Sequence, residues 1–254
     1  MSGMPLHFKQ IVQVAPTADD VHEMLGRRIL AAAAQAVEAN GRFDLALSGG
    51  STPEPFYRRL VTDPMYRSIP WDQTHFWVVD ERQVPEHDER SNIRMIRETL
   101  CDHVPVRGRQ VHPMPACTPN GAAEYDRDLK RELGPAGRLD FVLLGMGADG
   151  HTASLFPSSP ALLAGSRWVA VNDGPTVTPP PRLTMTFGLL NRAAAVSVLV
   201  TGSEKSAMIR RVHDEFESGH PNIDAVPITG IAPDHGDTAW LIDDNAASLL
   251  PWAT

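Results

Sequence analysis

The sequence predicts an α/β fold in which a mostly parallel sheet is covered by helices on both faces. Two observations carry this. Short apolar runs alternate with longer segments whose apolar residues recur at helical spacing, the pattern of consecutive βαβ units. Each main apolar run is also followed at once by glycines, hydroxyls or charged residues. That is where ligands gather in a parallel sheet, in the crevice beyond the carboxyl ends of the strands.

In chain order, residues 18–40 (ADDVHEMLGRRILAAAAQAVEAN) form a helix that stops at Asn40-Gly41, a pair suited to a C-cap. RFDLALSGG is a short buried strand and STPEPFYRRL opens a helix. THFWVVDERQV is a second strand and ERSNIRMIRETLCDHV a second helix. After a proline-rich turn at 112–119, NGAAEYDRDLKREL is helical. LDFVLLGMGADG supplies a third strand with its turn, and RWVAVND another strand. TVTPPPRLTMTFGLL is a stiff extended segment leading into a further element. AAVSVLVTGSEKSAMIRRVHDEF gives strand, turn and helix, and TAWLIDDNAASLL closes with a strand and a terminal helix. With no repeat, low-complexity tail or linker, residues 1–254 are expected to form one domain with a substantial core.

Apolar residues at 42% and charged residues at 21% are the balance of a soluble globular protein. A net charge of -8 argues against nucleic acid or an anionic membrane surface as partner. It also requires that any anionic ligand be met by local cations. The N-terminus lacks a basic region followed by an apolar core, and no apolar run approaches the ~18 residues of a membrane span. A cytoplasmic location is the expectation. Cys101 and Cys117 have no paired spacing and fit incidental thiols in a reducing compartment.

Four strand ends deliver the chemistry. After LAL come Ser48, Gly49, Gly50, Ser51 and Thr52; after FWVV come Asp80, Glu81 and Arg82. After FVLL comes Gly145 to His151, and after VSVLV comes Thr201 to Lys205. SGGSTP suits an anion: glycines admit a ligand to the backbone N–H groups, Ser51 or Thr52 can cap, and Pro53 fits a first helical turn. The helix N-terminus behind it favours phosphate. Lys205 stands at the start of a helix, where the dipole disfavours a cation unless an anion is bound. Arg182 follows three prolines, a rigid approach for a guanidinium that grips phosphate with two hydrogen bonds.

The run GMGADG matches G-x-G-x-x-G, the fingerprint of a dinucleotide turn. That reading needs a full helix after the turn, and Pro157 and Pro160 interrupt one at once. Asp149 would also put a carboxylate where a pyrophosphate must sit. The turn instead sets Asp149 beside His151, a pair suited to general acid–base catalysis in which the carboxylate orients the ring. A metal held by Asp80, Asp149 and His151 is the competing arrangement, without a His or Cys pair to support it. A serine hydrolase lacks its G-x-S-x-G elbow here.

With these residues assembled, the chain resembles the 6-phosphogluconolactonase family over nearly its whole length. The matching segments are LALSGGSTPEPFYRRL, HFWVVDERQVPEHDERSNIRMIRETL, DFVLLGMGADGHTASLFP, PPPRLTMTFGLLNRA and VLVTGSEK. The family is similar to the glucosamine-6-phosphate deaminases and implies a modified Rossmann-like fold. The resemblance implies a phosphate site at Ser48, Gly49, Gly50, Ser51 and Thr52 with Arg182 and Lys205. It implies His151 as catalytic base, with Asp149 beside it and Asp80 and Arg82 at the lactone end. The substrate implied is a phosphorylated sugar lactone, hydrolysed without metal or organic cofactor in the pentose phosphate pathway, by a monomer or a homodimer. In the deaminases the segment after DGH carries a Glu that works with the His. DGHTASLFP has Leu155 and Phe156 there and no carboxylate, which favours the lactonase over a deaminase or a non-catalytic sugar-phosphate sensor.

Overall fold

The structure, a computed structural model, describes residues 10–177, 179 and 181–252. The readings placed on residues 1–9 and on the middle proline of the Pro179–Pro181 run lie outside them. The elements are β1 (Gln10–Ala15), α1 (Ala18–Asn40), β2 (Phe43–Leu47), α2 (Glu54–Thr62), β3 (Thr74–Val78), β4 (Asp80–Arg82), α3 (Asn92–Thr99), β5 (Val111–His112), α4 (Gly121–Leu133) and β6 (Phe141–Gly145). They continue with β7 (Val169–Asn172), β8 (Arg182–Met185), α5 (Phe187–Leu190), β9 (Ala195–Val200), α6 (Ser206–Glu217), β10 (Asp237–Asp243) and α7 (Asp244–Ala247).

Seven strands make one parallel sheet in the order β1-β10-β9-β6-β2-β3-β5. The order reverses between β2 and β6, so the loops after these two strands flank a topological switch point. Strand alternation divides the core in two. Phe43, Leu45 and Leu47 of β2 join Phe141 and Leu143 of β6 against Leu25 and Ile29 of α1, Phe56 and Leu60 of α2 and Ile93 and Ile96 of α3. Ala46, Val142, Leu144 and Val198 face the other way, toward Leu129 of α4 and Ile209 and Val212 of α6. The central strands β2, β6 and β9 are largely apolar on both sides because both sides are covered. Helix α1 runs over the residues its spacing indicates. It starts on a Thr17–Asp20 capping box and ends at Gly41 with φ +70°.

The second face is not covered by helices alone. A three-stranded antiparallel sheet, β4-β8-β7, packs there, and its Val169, Leu183 and Met185 belong to the same core as Val142 and Leu144. This corrects the reading of THFWVVDERQV as one strand. Val79 is the joint: its N–H donates to Leu47 O at 3.0 Å in the large sheet, while its carbonyl accepts from Met185 N at 2.7 Å in the small one. The RWVAVND strand and the extended PPPRLTM segment are the other two strands of this sheet. The helix of 89–104 is shorter than its spacing indicates. It stops at Thr99 and gives way to a 3-10 turn at Cys101–His103. The terminal helix is a single turn, and strands β1 and β5 were not indicated by the sequence pattern.

Candidate active site

A cleft of about 230 Å³ opens at the switch point. It is lined by Ser48 to Pro53 from the loop after β2, Asp80 and Arg82 from β4, Gly145 to Gly147, His151 and Ala153 from the loop after β6, Arg182 from β8, Lys205 before α6, and Asn92. Of the candidates named from the sequence, Ser48 to Thr52, Asp80, Arg82, His151, Arg182 and Lys205 meet here and Asp149 touches the cleft through His151, whereas Glu81 and Thr201 to Glu204 do not line it. In β4, alternation sends Asp80 and Arg82 to the cleft and Glu81 to the opposite side. There Glu81 accepts the N–H groups of Asn92 and Ile93 at 2.8 and 2.9 Å and anchors the start of α3. Burial raises the Glu81 carboxyl above its usual range against these hydrogen bonds.

The turn after β2 departs in detail from an ordinary helix cap. Neither Ser51 nor Thr52 caps α2; Pro53 stands at its N-cap without a side-chain bond. The Ser48 hydroxyl donates to Leu143 O at 2.8 Å, tying β2 to β6, and its carbonyl accepts from Tyr57 Oη at 2.7 Å. Gly50 has φ +101°, and a Cβ on Gly49 would lie 1.9 Å from Asn92 Oδ1. Glycine at 49 is thus a close approach to Asn92, and glycine at 50 a backbone requirement.

After β6, the Asp149 carboxylate grips His151 twice. Its Oδ1 lies 2.5 Å from His151 Nδ1 and accepts the His151 backbone N–H at 3.2 Å. A carboxylate only accepts, so in the neutral imidazole the hydrogen resides on Nδ1 and the lone pair on Nε2. Burial disfavours the Asp149 charge, but the hydrogen bond and charge of His151 outweigh it and hold the carboxyl below its usual range. The imidazole stacks on the buried Phe156 ring, centroids 4.2 Å apart at 24°. Gly147 explains the glycine of the GMG run: a Cβ there would lie 2.2 Å from His151 Nδ1 and 2.6 Å from Asp149 Oδ1. Gly147→Ala is therefore expected to displace the imidazole and lower kcat about 10²-fold with little change in KM. Steady-state rates of the purified variant check this, and a wild-type kcat would show that the pair tolerates the methyl group. As Pro157 and Pro160 imply, no helix follows this turn; the next elements are a 3-10 turn at Pro160–Leu163 and β7.

The cations come from the small sheet and from the start of α6. Arg82 and Arg182 are register partners across the antiparallel β4–β8 pair. Like charges in this position repel, and a bound anion between them would relieve it. Arg182 is buried. Its Nε donates to Pro179 O at 3.1 Å and its Nη1 lies 3.6 Å from Asp80 Oδ2. Burial lowers its pKa, and the Asp80 charge works against that. Arg82 Nη1 donates to Arg90 O at 2.5 Å. Lys205 is at the N-cap of α6 with no ion pair within 4 Å among the described residues. Asp80 is the hub: Oδ2 accepts from Ser154 Oγ at 2.5 Å, and Asn92 Nδ2 donates to its carbonyl at 2.6 Å and to Oδ1 at 3.3 Å.

Asn92 and Ser154 were not singled out by the sequence, and Phe156 was noted only for its lack of a carboxylate. Asn92 is the first residue of α3 and its side chain meets Asp80, twelve residues earlier, only in the fold. Ser154 and Phe156 reach the site because the chain reverses after His151. Ala153 takes a left-handed φ of +49°, and Leu155 N donates to Thr152 O at 2.9 Å.

Fold and cleft together define an α/β protein with a crevice at its switch point, lined by Arg82, Arg182 and Lys205 and holding a carboxylate-paired histidine. The chain belongs to the family described as glucosamine-6-phosphate isomerases/6-phosphogluconolactonase, whose sequence model matches residues 16–240. It is 33% identical over 250 residues to a 6-phosphogluconolactonase of Mycobacterium tuberculosis, covering 94% of this chain and 98% of that one. It is 36% identical to the GDH/6PGL endoplasmic bifunctional protein of Homo sapiens, of which it spans only 30%. Among solved structures, a 6-phosphogluconolactonase from Trypanosoma cruzi superposes with a TM-score of 0.83 at 26% identity, covering 98% of this chain and all of that one. A monomeric glucosamine-6-phosphate deaminase superposes at 0.74 with 20% identity over 94% of this chain and 99% of that one, and shares the fold. Among the described residues, no helix is long and apolar enough to cross a membrane.

Proposed function

We propose that residues 1–254 act as one hydrolytic domain that converts 6-phospho-D-glucono-1,5-lactone to 6-phosphogluconate. The observation that carries this is the Asp149–His151 pair, its Nε2 lone pair uncommitted, in one cleft with Arg82, Arg182 and Lys205. The lactonase names of full-length relatives support the same reading. The turn after His151 supports it too: it carries Phe156 and no carboxylate, so the ring-opening partner of the deaminases is missing.

The substrate phosphate docks at the Gly49–Thr52 turn and is met by Arg182 and Lys205, which places the lactone carbonyl beside His151. His151 Nε2 accepts a proton from water as the water oxygen attacks that carbonyl. The tetrahedral oxyanion is stabilised by Arg82 and by backbone N–H groups. It collapses with cleavage of the bond to the ring oxygen, which takes the proton back from His151. Anchoring at the remote phosphate supplies the orientation. The test is lactone generated in situ from glucose 6-phosphate, followed by coupled oxidation of 6-phosphogluconate. Acceleration above the spontaneous rate is expected, and a rate equal to buffer refutes the activity.

Asp149 contributes orientation and charge. Asp149→Asn is expected to lower kcat about 10²-fold or more, because the ring loses the carboxylate that orients it and the imidazolium loses its counter-ion. An unchanged rate would remove Asp149 from the mechanism.

A further inference from the structure

One aromatic ring serves both halves of the cleft. Phe156 is 5% exposed, too buried to be a platform for substrate. The His151 imidazole is stacked on it, and the Arg182 guanidinium carbon lies 5.7 Å from the same ring centroid. Residues five apart in an extended chain would stand roughly 17 Å apart. Here the left-handed Ala153 folds Phe156 back beneath His151. A residue with φ > 0 and a side chain is uncommon and costs about 1 kcal/mol or more, so the reversal is held by its surroundings. Ser154 Oγ, bound to Asp80, and the Leu155–Thr152 hydrogen bond hold it.

We propose that Phe156 is a positioning residue of the hydrolysis, seating the general base and the phosphate-binding arginine on one ring so that anion binding and proton acceptance are geometrically coupled. This rests on the lactonase reading and adds to it. An aromatic face attracts both cations electrostatically. It orients the guanidinium in the free protein and supports the imidazolium that forms when His151 takes the proton. The other charges around the imidazole are Asp149 on its own turn, Asp80 paired with Arg182, and Arg82 and Lys205 across the cleft. A phosphate neutralising Arg182 removes a positive charge from the ring as His151 is about to add one. The two events assist each other through Phe156 rather than compete for it.

The experiment compares Phe156→Leu, which keeps apolar bulk, with Phe156→Tyr, which keeps the ring. Both are assayed for kcat and KM, with circular dichroism reporting the folded fraction. Phe156→Leu is expected to lower kcat about tenfold and raise KM several-fold. Phe156→Tyr is expected to stay within about threefold of wild type. A packing role alone would reduce the folded fraction, leaving kcat and KM of the folded protein in place. That result, or a Tyr variant as impaired as the Leu variant, overturns the proposal. His151→Ala, assayed alongside, keeps the two readings apart. A wild-type rate there overturns the general-base reading on which this proposal rests, whereas an inactive His151→Ala with an unaltered Phe156→Leu overturns only the role of the ring.

Discussion

His151→Ala is expected to lower kcat for lactone hydrolysis by about 10²–10⁴-fold while KM stays within a few-fold of wild type. The reason is positional. Among the site residues, the His151 imidazole has one nitrogen committed to a carboxylate and stands in the same cleft as the cations. On the proposed mechanism, removing it takes away the proton acceptor and is expected to leave phosphate binding intact. A coupled assay with lactone formed in situ measures this directly, corrected for spontaneous opening. Retention of the wild-type kcat would end the general-base assignment. Exogenous imidazole restoring part of the lost rate would strengthen it.

Arg182→Ala should give the complementary result, a KM raised about 10- to 100-fold with a smaller fall in kcat. A hydrogen bond to a charged group contributes about 1.5–3 kcal/mol, which converts to that range. A second loss is expected in the folded state itself. Asp80 is buried beside Arg182, and removing one partner of a buried pair costs about 3–5 kcal/mol when the other charge is left uncompensated. The hydrogen bonds from Ser154 and Asn92 to Asp80 offset part of this. Thermal denaturation separates the two losses. Arg182→Ala should melt lower than wild type, and Arg182→Ala combined with Asp80→Asn should recover melting temperature without recovering KM. An unchanged KM in Arg182→Ala would place the phosphate elsewhere.

The large sheet was legible because its central strands are buried on both faces and therefore carry short apolar runs, such as LAL and FVLL. Strand β1 was not, since it is an edge strand with Ile11, Val12 and Val14 exposed and two glutamines interspersed. The change of sheet at Val79 left no mark either. A residue whose N–H serves one sheet and whose carbonyl serves another needs no glycine or proline, so THFWVVDER is continuous in its pattern. Strand ends brought Ser48 to Thr52, Asp80, Arg82, His151 and Lys205 together, and these line one cleft with Arg182, which was read from its proline run and begins β8. The residues that brace them were hidden. Asn92 and Phe156 act through contacts made by a helix start and a reversed turn, and neither contact follows from residue type or local spacing.

The joint at Val79 has a bearing on ligand size. The glycine turn and His151 follow strands of the large sheet, whereas Arg82 and Arg182 sit on strands of the small one. The two sheets touch through a layer of side chains that includes Leu183, Met185 and Val142. On the proposed reading, the thickness of that layer fixes the gap between the two arginines and the large-sheet turns that carry the glycines and His151, much as the jaws of a caliper are fixed by its beam. A change of one or two methylenes there, out of reach of solvent and substrate, resets the length of molecule the cleft will measure.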